Sequence, residues 1–129
     1  MIAVTSMGPD YKKADYSQYG QGADIMAPGG EDTDGAGCGV YSTVTEGGYG
    51  YMSGTSMATP HTAGVAALMV SQYGGEEFTA DELRRVLLGS YRNVGEYQEE
   101  ACRNLIGVGL LDASLMDNYY KNPGAAPET

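Results

Sequence analysis

Basic residues are scarce in this chain: seven Lys and Arg against 17 Asp and Glu in 129 residues, a formal net charge of −10. Nucleic-acid binding needs basic patches that neutralise phosphates, so the balance argues against that class. Residues 1–64 carry seven acidic and two basic residues and residues 65–129 carry ten and five, so each half stands at −5 and no acidic tail explains the total. The surplus reads as a solvated acidic surface, with cation binding as the rival reading. No apolar run is long enough to span a bilayer. Met1 to Gly8 has neither a positive n-region nor a long apolar h-region and does not read as a secretory signal, although a signal upstream on a longer parent chain is compatible with the sequence. Cysteine is limited to Cys38 and Cys102. Neither lies in a CxxC or a metal-ligand cluster, which argues against zinc, and both one disulfide and two buried thiols fit. There is no internal repeat and no heptad pattern.

What the chain has instead is glycine: 20 of 129 residues, more than twice the usual usage of about 7%. The glycines fall mostly in turns between apolar segments, as in a loop-rich α/β enzyme whose backbone approaches its ligands closely. Met1 to Thr5 reads as a buried strand and Gly8 to Gly22 as a polar surface loop. Ala23 to Ala27 reads as a second strand, stopped by Pro28-Gly29-Gly30. Glu31 to Gly39 reads as an acidic loop. Val40 to Val44 and Tyr49 to Met52 form a hairpin across Glu46-Gly47-Gly48. Ser56 to about Tyr73 reads as a helix ended by Gly74-Gly75. It is apolar nearly all round and rich in small residues, so a buried central helix is expected, with Pro60 tolerated in its first turn. Thr79-Ala80-Asp81-Glu82 is a capping box opening a short helix to Gly89. Asp112 is an N-cap for a last helix to about Tyr119. Residues 1–120 read as one unit and 121–129 as a flexible tail or linker.

Ser56 stands after Gly54-Thr55 and at the start of the long helix, where free backbone amides and the positive end of the helix dipole meet a hydroxyl. A serine nucleophile needs that environment, a base to take its proton, and an oxyanion hole. From spacing alone, an ordinary N-cap is the favoured reading of Ser56.

The run Gly54-Thr55-Ser56-Met57-Ala58-Thr59-Pro60-His61-Thr62-Ala63-Gly64 resembles, without a gap, the nucleophile segment GTSMA[ST]PH-x-AG of the subtilisin-like serine proteases, the subtilases. Met1-Ile2-Ala3-Val4 is similar to the family's VIAV strand, Tyr16-Ser17-Gln18-Tyr19-Gly20 to its FSxxG segment, Asp24 to Gly29 to its DVMAPG segment, and Gly107 to Ala113 to its terminal GxGLxxA segment. The resemblance implies the C-terminal part of a subtilisin-like three-layer α/β fold, with a mainly parallel sheet and a buried central helix starting at the nucleophile. It implies a serine endopeptidase acting on polypeptides, with Ser56 as nucleophile and backbone oxyanion donor. Ser53, Gly54, Thr55 and Met57 would contact substrate, and Met57 would be sensitive to oxidation. Ser53 stands where many relatives carry asparagine.

Subtilases order their triad Asp, His, Ser. The Asp and His motifs, and the asparagine that completes the oxyanion hole, have no counterpart here. The one histidine, His61, matches the structural histidine after proline in the nucleophile helix and lies five residues from Ser56 on the same helix, a poor position for a base. The chain is therefore expected to be inactive alone and to need the missing N-terminal part of the domain as a partner. A catalytically dead binding or complementation module is the alternative. A chain cut from its sheet neighbours is also expected to fold poorly or associate. No cofactor is required for the chemistry. The acidic loop Glu31-Asp32-Thr33-Asp34-Gly35 lacks EF-hand spacing, so structural calcium there is a secondary expectation. The family implies an extracellular location by way of the parent chain, and the charge is also compatible with an intracellular acidic subtilase.

Overall fold

The structure, a computed structural model, describes residues 1–31 and 37–122. Two short strands come first, β1 (Val4–Met7) and β2 (Ile25–Pro28), paired in parallel from Val4 opposite Ile25 to Met7 opposite Pro28. Next is an antiparallel hairpin of β3 (Val40–Thr43) and β4 (Tyr49–Met52). The chain then enters α1 (Thr55–Tyr73) and α2 (Ala80–Gly89). Two two-residue strands, β5 (Tyr91–Arg92) and β6 (Leu110–Leu111), and a terminal helix α3 (Met116–Lys121) complete it. The central sheet has the order β1-β2-β6-β5, parallel except for the β5–β6 pair. This is the expected α/β arrangement with a mainly parallel sheet.

Successive residues of a strand face opposite sides, and β2 shows the consequence. Ile25 joins Met69, Val86, Leu87 and Leu111 in a cluster on the helical side. Met26 joins Met7, Val94, Cys102, Ile106 and Leu110 on the other side, where no helix contributes to the cluster. Pro28, with no N–H for a ladder, ends β2. No disulfide joins Cys102, buried in that second cluster, to half-buried Cys38.

Three expectations need correction. The first strand begins at Val4, not Met1, and runs on to Met7. Its buried hydroxyls are satisfied across the fold: Thr5 Oγ1 donates to Ile106 O at 2.8 Å, and Ser6 Oγ lies 2.6 Å from the Tyr16 hydroxyl. The long helix is not buried. Only Ala58, Thr62 and Met69 are, while Leu68 and Val70 are about half exposed at 54% and 49%. The sheet and α2 pack against α1, and α3 meets its last turn, where the Tyr73 and Tyr120 rings stack with centroids 3.9 Å apart. Finally, Pro60 lies in the second turn, because the helix starts at Thr55. The bond it removes would have ended on the Ser56 carbonyl. Neighbouring side chains bond back to the same stretch, Thr59 Oγ1 to Thr55 O at 2.9 Å and Thr62 Oγ1 to Ala58 O at 3.2 Å.

Candidate active site

The hairpin delivers the chain to the nucleophile turn. β4 ends at Met52, Ser53-Gly54 turns, and α1 begins at Thr55. The Gly54 amide donates to Gly29 O at 2.8 Å, which fixes the turn to the corner after β2. Gly54 O in turn accepts from the Met57 and Ala58 amides, at 2.9 and 3.3 Å, and so closes the first turn of the helix. No side chain caps this helix, so the Thr55 and Ser56 amides keep their first-turn position without an internal acceptor.

Ser56 is exposed and opens onto a cavity of about 310 Å³ between the hairpin and the start of α1. Val40, Ser42, Gly50 and Met52 line the hairpin side, and Met57, Pro60 and His61 the helix side. Val40 and Ser42 pair with Met52 and Gly50 and share one face of the hairpin, and Thr43 and Val44 extend the lining toward the turn. The other face carries exposed Tyr41, Tyr49 and Tyr51, with ring centroids 4.9 Å apart for Tyr41–Tyr51 and 5.9 Å for Tyr41–Tyr49.

The structure brings Ser56 and Met57 to the cavity, while Ser53, Gly54 and Thr55 form the turn that leads into it. The Ser53 hydroxyl is buried and has no hydrogen-bond partner among the described residues. A Cβ on Gly30 would come within 2.7 Å of it. His61 is exposed, and its Nδ1–H donates to Met57 O at 3.2 Å, one turn back on its own helix. Among the described residues no Asp or Glu lines this cavity. The wall residues Val40 and Ser42 were not singled out as site residues by sequence reasoning, whereas Gly50 and Met52 fall in Tyr49 to Ser53, the stretch that the family resemblance sets beside the substrate cleft. The signal was present, since the expected hairpin ends two residues before the motif.

Glu31 is the one acid of the expected acidic loop within the described residues, and its Oε2 accepts from the Asp15 amide at 2.7 Å. Among the described residues no three acidic, His or Cys side chains form a metal-ligand group. The remainder of that loop, residues 32–35, and the tail 123–129 lie outside the described residues. Among the described residues no helix is long and apolar enough to cross a membrane.

A family model described as the subtilase family matches residues 1–109. Alkaline elastase YaB of Bacillus sp. (strain YaB) is 38% identical over 112 residues, covering 87% of this chain and 25% of that protein. Thermitase of Thermoactinomyces vulgaris is 45% identical over 71 residues, covering 55% of this chain and 23% of that protein. Among solved structures, a protease from Pseudoalteromonas arctica PAMC 21717 superposes with a TM-score of 0.76 at 35% identity, over 93% of this chain and 36% of that one. A cold-adapted subtilisin-like serine proteinase superposes with a TM-score of 0.70 at 30% identity, over 87% of this chain and 36% of that one. The chain thus spans between 23% and 36% of these four relatives. With the family model matched over most of its length and subtilisin-like proteases as its relatives in sequence and structure, the chain belongs to the subtilase family.

Proposed function

We propose that this chain supplies the nucleophile of a serine endopeptidase and works with a base carried by sequence outside these 129 residues. The observation that carries the reading is the exposed Ser56, held by the Gly54–Gly29 bond at the uncapped start of α1 and open to a cavity. In the reaction, Ser56 Oγ attacks the carbonyl carbon of a peptide while the external base takes its proton. The tetrahedral oxyanion is held by the Ser56 N–H and by a second, external donor. The intermediate collapses to an acyl-enzyme as the base returns the proton to the leaving amine, and water then releases the acid. Thr55 and Met57 flank the attacked carbonyl. The apolar wall of Val40, Met52 and Met57 faces substrate side chains.

In the full-length protein, Ser56→Ala is expected to lower peptide hydrolysis about a thousandfold or more with an unchanged circular dichroism spectrum. Hydrolysis at the wild-type rate in that variant would overturn the assignment.

A further inference from the structure

The segment resembling FSxxG reads Tyr16-Ser17-Gln18-Tyr19-Gly20, with tyrosine where that pattern has phenylalanine. The added hydroxyl has partners. The Tyr16 Oη lies 2.6 Å from Ser6 Oγ on β1, 3.0 Å from Gly29 O and 2.8 Å from Gly30 O. A phenol has one proton to give. Shared between the two glycine carbonyls, that proton leaves the oxygen to accept from the Ser6 hydroxyl, which is fully buried. The same corner is held from the other side, because the Gly29 and Gly30 amides both donate to Met7 O, at 3.1 and 3.2 Å. Gly29 O also receives the Gly54 amide. Space is closed here as well, since a Cβ on Gly29 would sit 1.8 Å from Ser6 Oγ and 2.6 Å from Gly54 O. A continuous path of hydrogen bonds therefore runs from Ser6 through Tyr16 and Gly29 to Gly54, whose carbonyl closes the helix turn containing Ser56.

We propose that Tyr16 is a positioning residue for the nucleophile: its hydroxyl, backed by Ser6, fixes the Gly29–Gly30 corner on which the Gly54–Ser56 turn is held. The kinetic consequence rests on the reading of Ser56 as the nucleophile, whereas the brace itself does not.

The test uses Tyr16→Phe, which keeps the ring, together with Ser6→Ala and the double variant, in the full-length protein. Amide hydrogen exchange over residues 53–58 is expected to quicken roughly three- to tenfold in each single variant, the effect of one net hydrogen bond. The β1 and β2 amides should keep their wild-type rates, and the double variant should add little. The kcat for peptide hydrolysis should fall by a similar factor at unchanged KM. Unchanged exchange over 53–58, or exchange quickened throughout the sheet, overturns the brace. Quickened exchange at 53–58 with an unaltered kcat reduces Tyr16 to a structural role and overturns the positioning proposal. A wild-type protein without peptidase activity would contradict the Ser56 reading, and the exchange data would still decide the brace.

Discussion

Asp24 joins three parts of the fold through one carboxylate. Its Oδ2 accepts the Ala3 amide at 2.8 Å, and its Oδ1 accepts Arg84 Nη2 from α2 at 3.1 Å. The Ala3 amide, followed by the Arg84 guanidinium, holds its pKa below the ordinary 3.8. A carboxyl whose folded pKa is lowered stabilises the fold above its unfolded value and loses that contribution as the pH falls through the folded one. Asp24→Asn is therefore expected to unfold at lower denaturant than wild type at neutral pH. The gap should close as the pH drops below about 3.8, the unfolded value; an equal gap at neutral and strongly acid pH would contradict this. Ser53 makes the opposite case. Its hydroxyl is buried and unpartnered among the described residues, so Ser53→Ala is expected to leave stability unchanged or raised by up to about 1 kcal/mol. A denaturation midpoint clearly below wild type would show that the hydroxyl does have a partner. The place of Ser56 at the start of α1 was legible in sequence because an unbroken run of neighbours carries it. The Tyr16 hydroxyl and the Asp24 carboxylate were not, because their partners lie 10 to 60 positions away and no local pattern encodes such a meeting.

At the scale of elements, what has local cause was readable. β-forming residues in Val40 to Val44 and Tyr49 to Met52, across Glu46-Gly47-Gly48, predicted the hairpin that forms. The Thr79 cap of α2 also forms, its Oγ1 accepting from the Glu82 amide at 3.2 Å. The reciprocal half of the capping box does not, since both Glu82 oxygens go to Arg85 Nε and Nη2, at 3.2 and 2.9 Å. A guanidinium fork one turn ahead gives a bidentate charged pair, a stronger partner than a single backbone amide. Thr79→Ala is expected to cost about 1 kcal/mol in a denaturant titration, and no measurable cost would show that α2 is held by packing alone. β5 and β6 escaped notice because two residues carry no period. They exist because β6 lies between β2 and β5, an arrangement set by the whole sheet.

At the scale of the molecule, burial of α1 was the expectation the structure changed most. A helix apolar all round reads as central, but only Ala58, Thr62 and Met69 of α1 are buried, and Leu68 and Val70 stand about half exposed. The chain also spans only a quarter of Alkaline elastase YaB and contains a single histidine, which bonds its own helix. On the proposed reading one outside segment answers both facts, covering the open side of α1 and bringing the base to Ser56. The 129-residue chain by itself is then expected to associate through that side, and sedimentation showing a monomer with one cooperative unfolding transition would count against this. The most direct measurement is labelling by a fluorophosphonate, read by mass spectrometry, on the full-length protein and on this chain alone. Stoichiometric modification of Ser56 in the full-length protein and none in the isolated chain is the expected result. Stoichiometric modification in the isolated chain, or an unmodified Ser56 in the full-length protein, would contradict a nucleophile that draws its base from outside this chain.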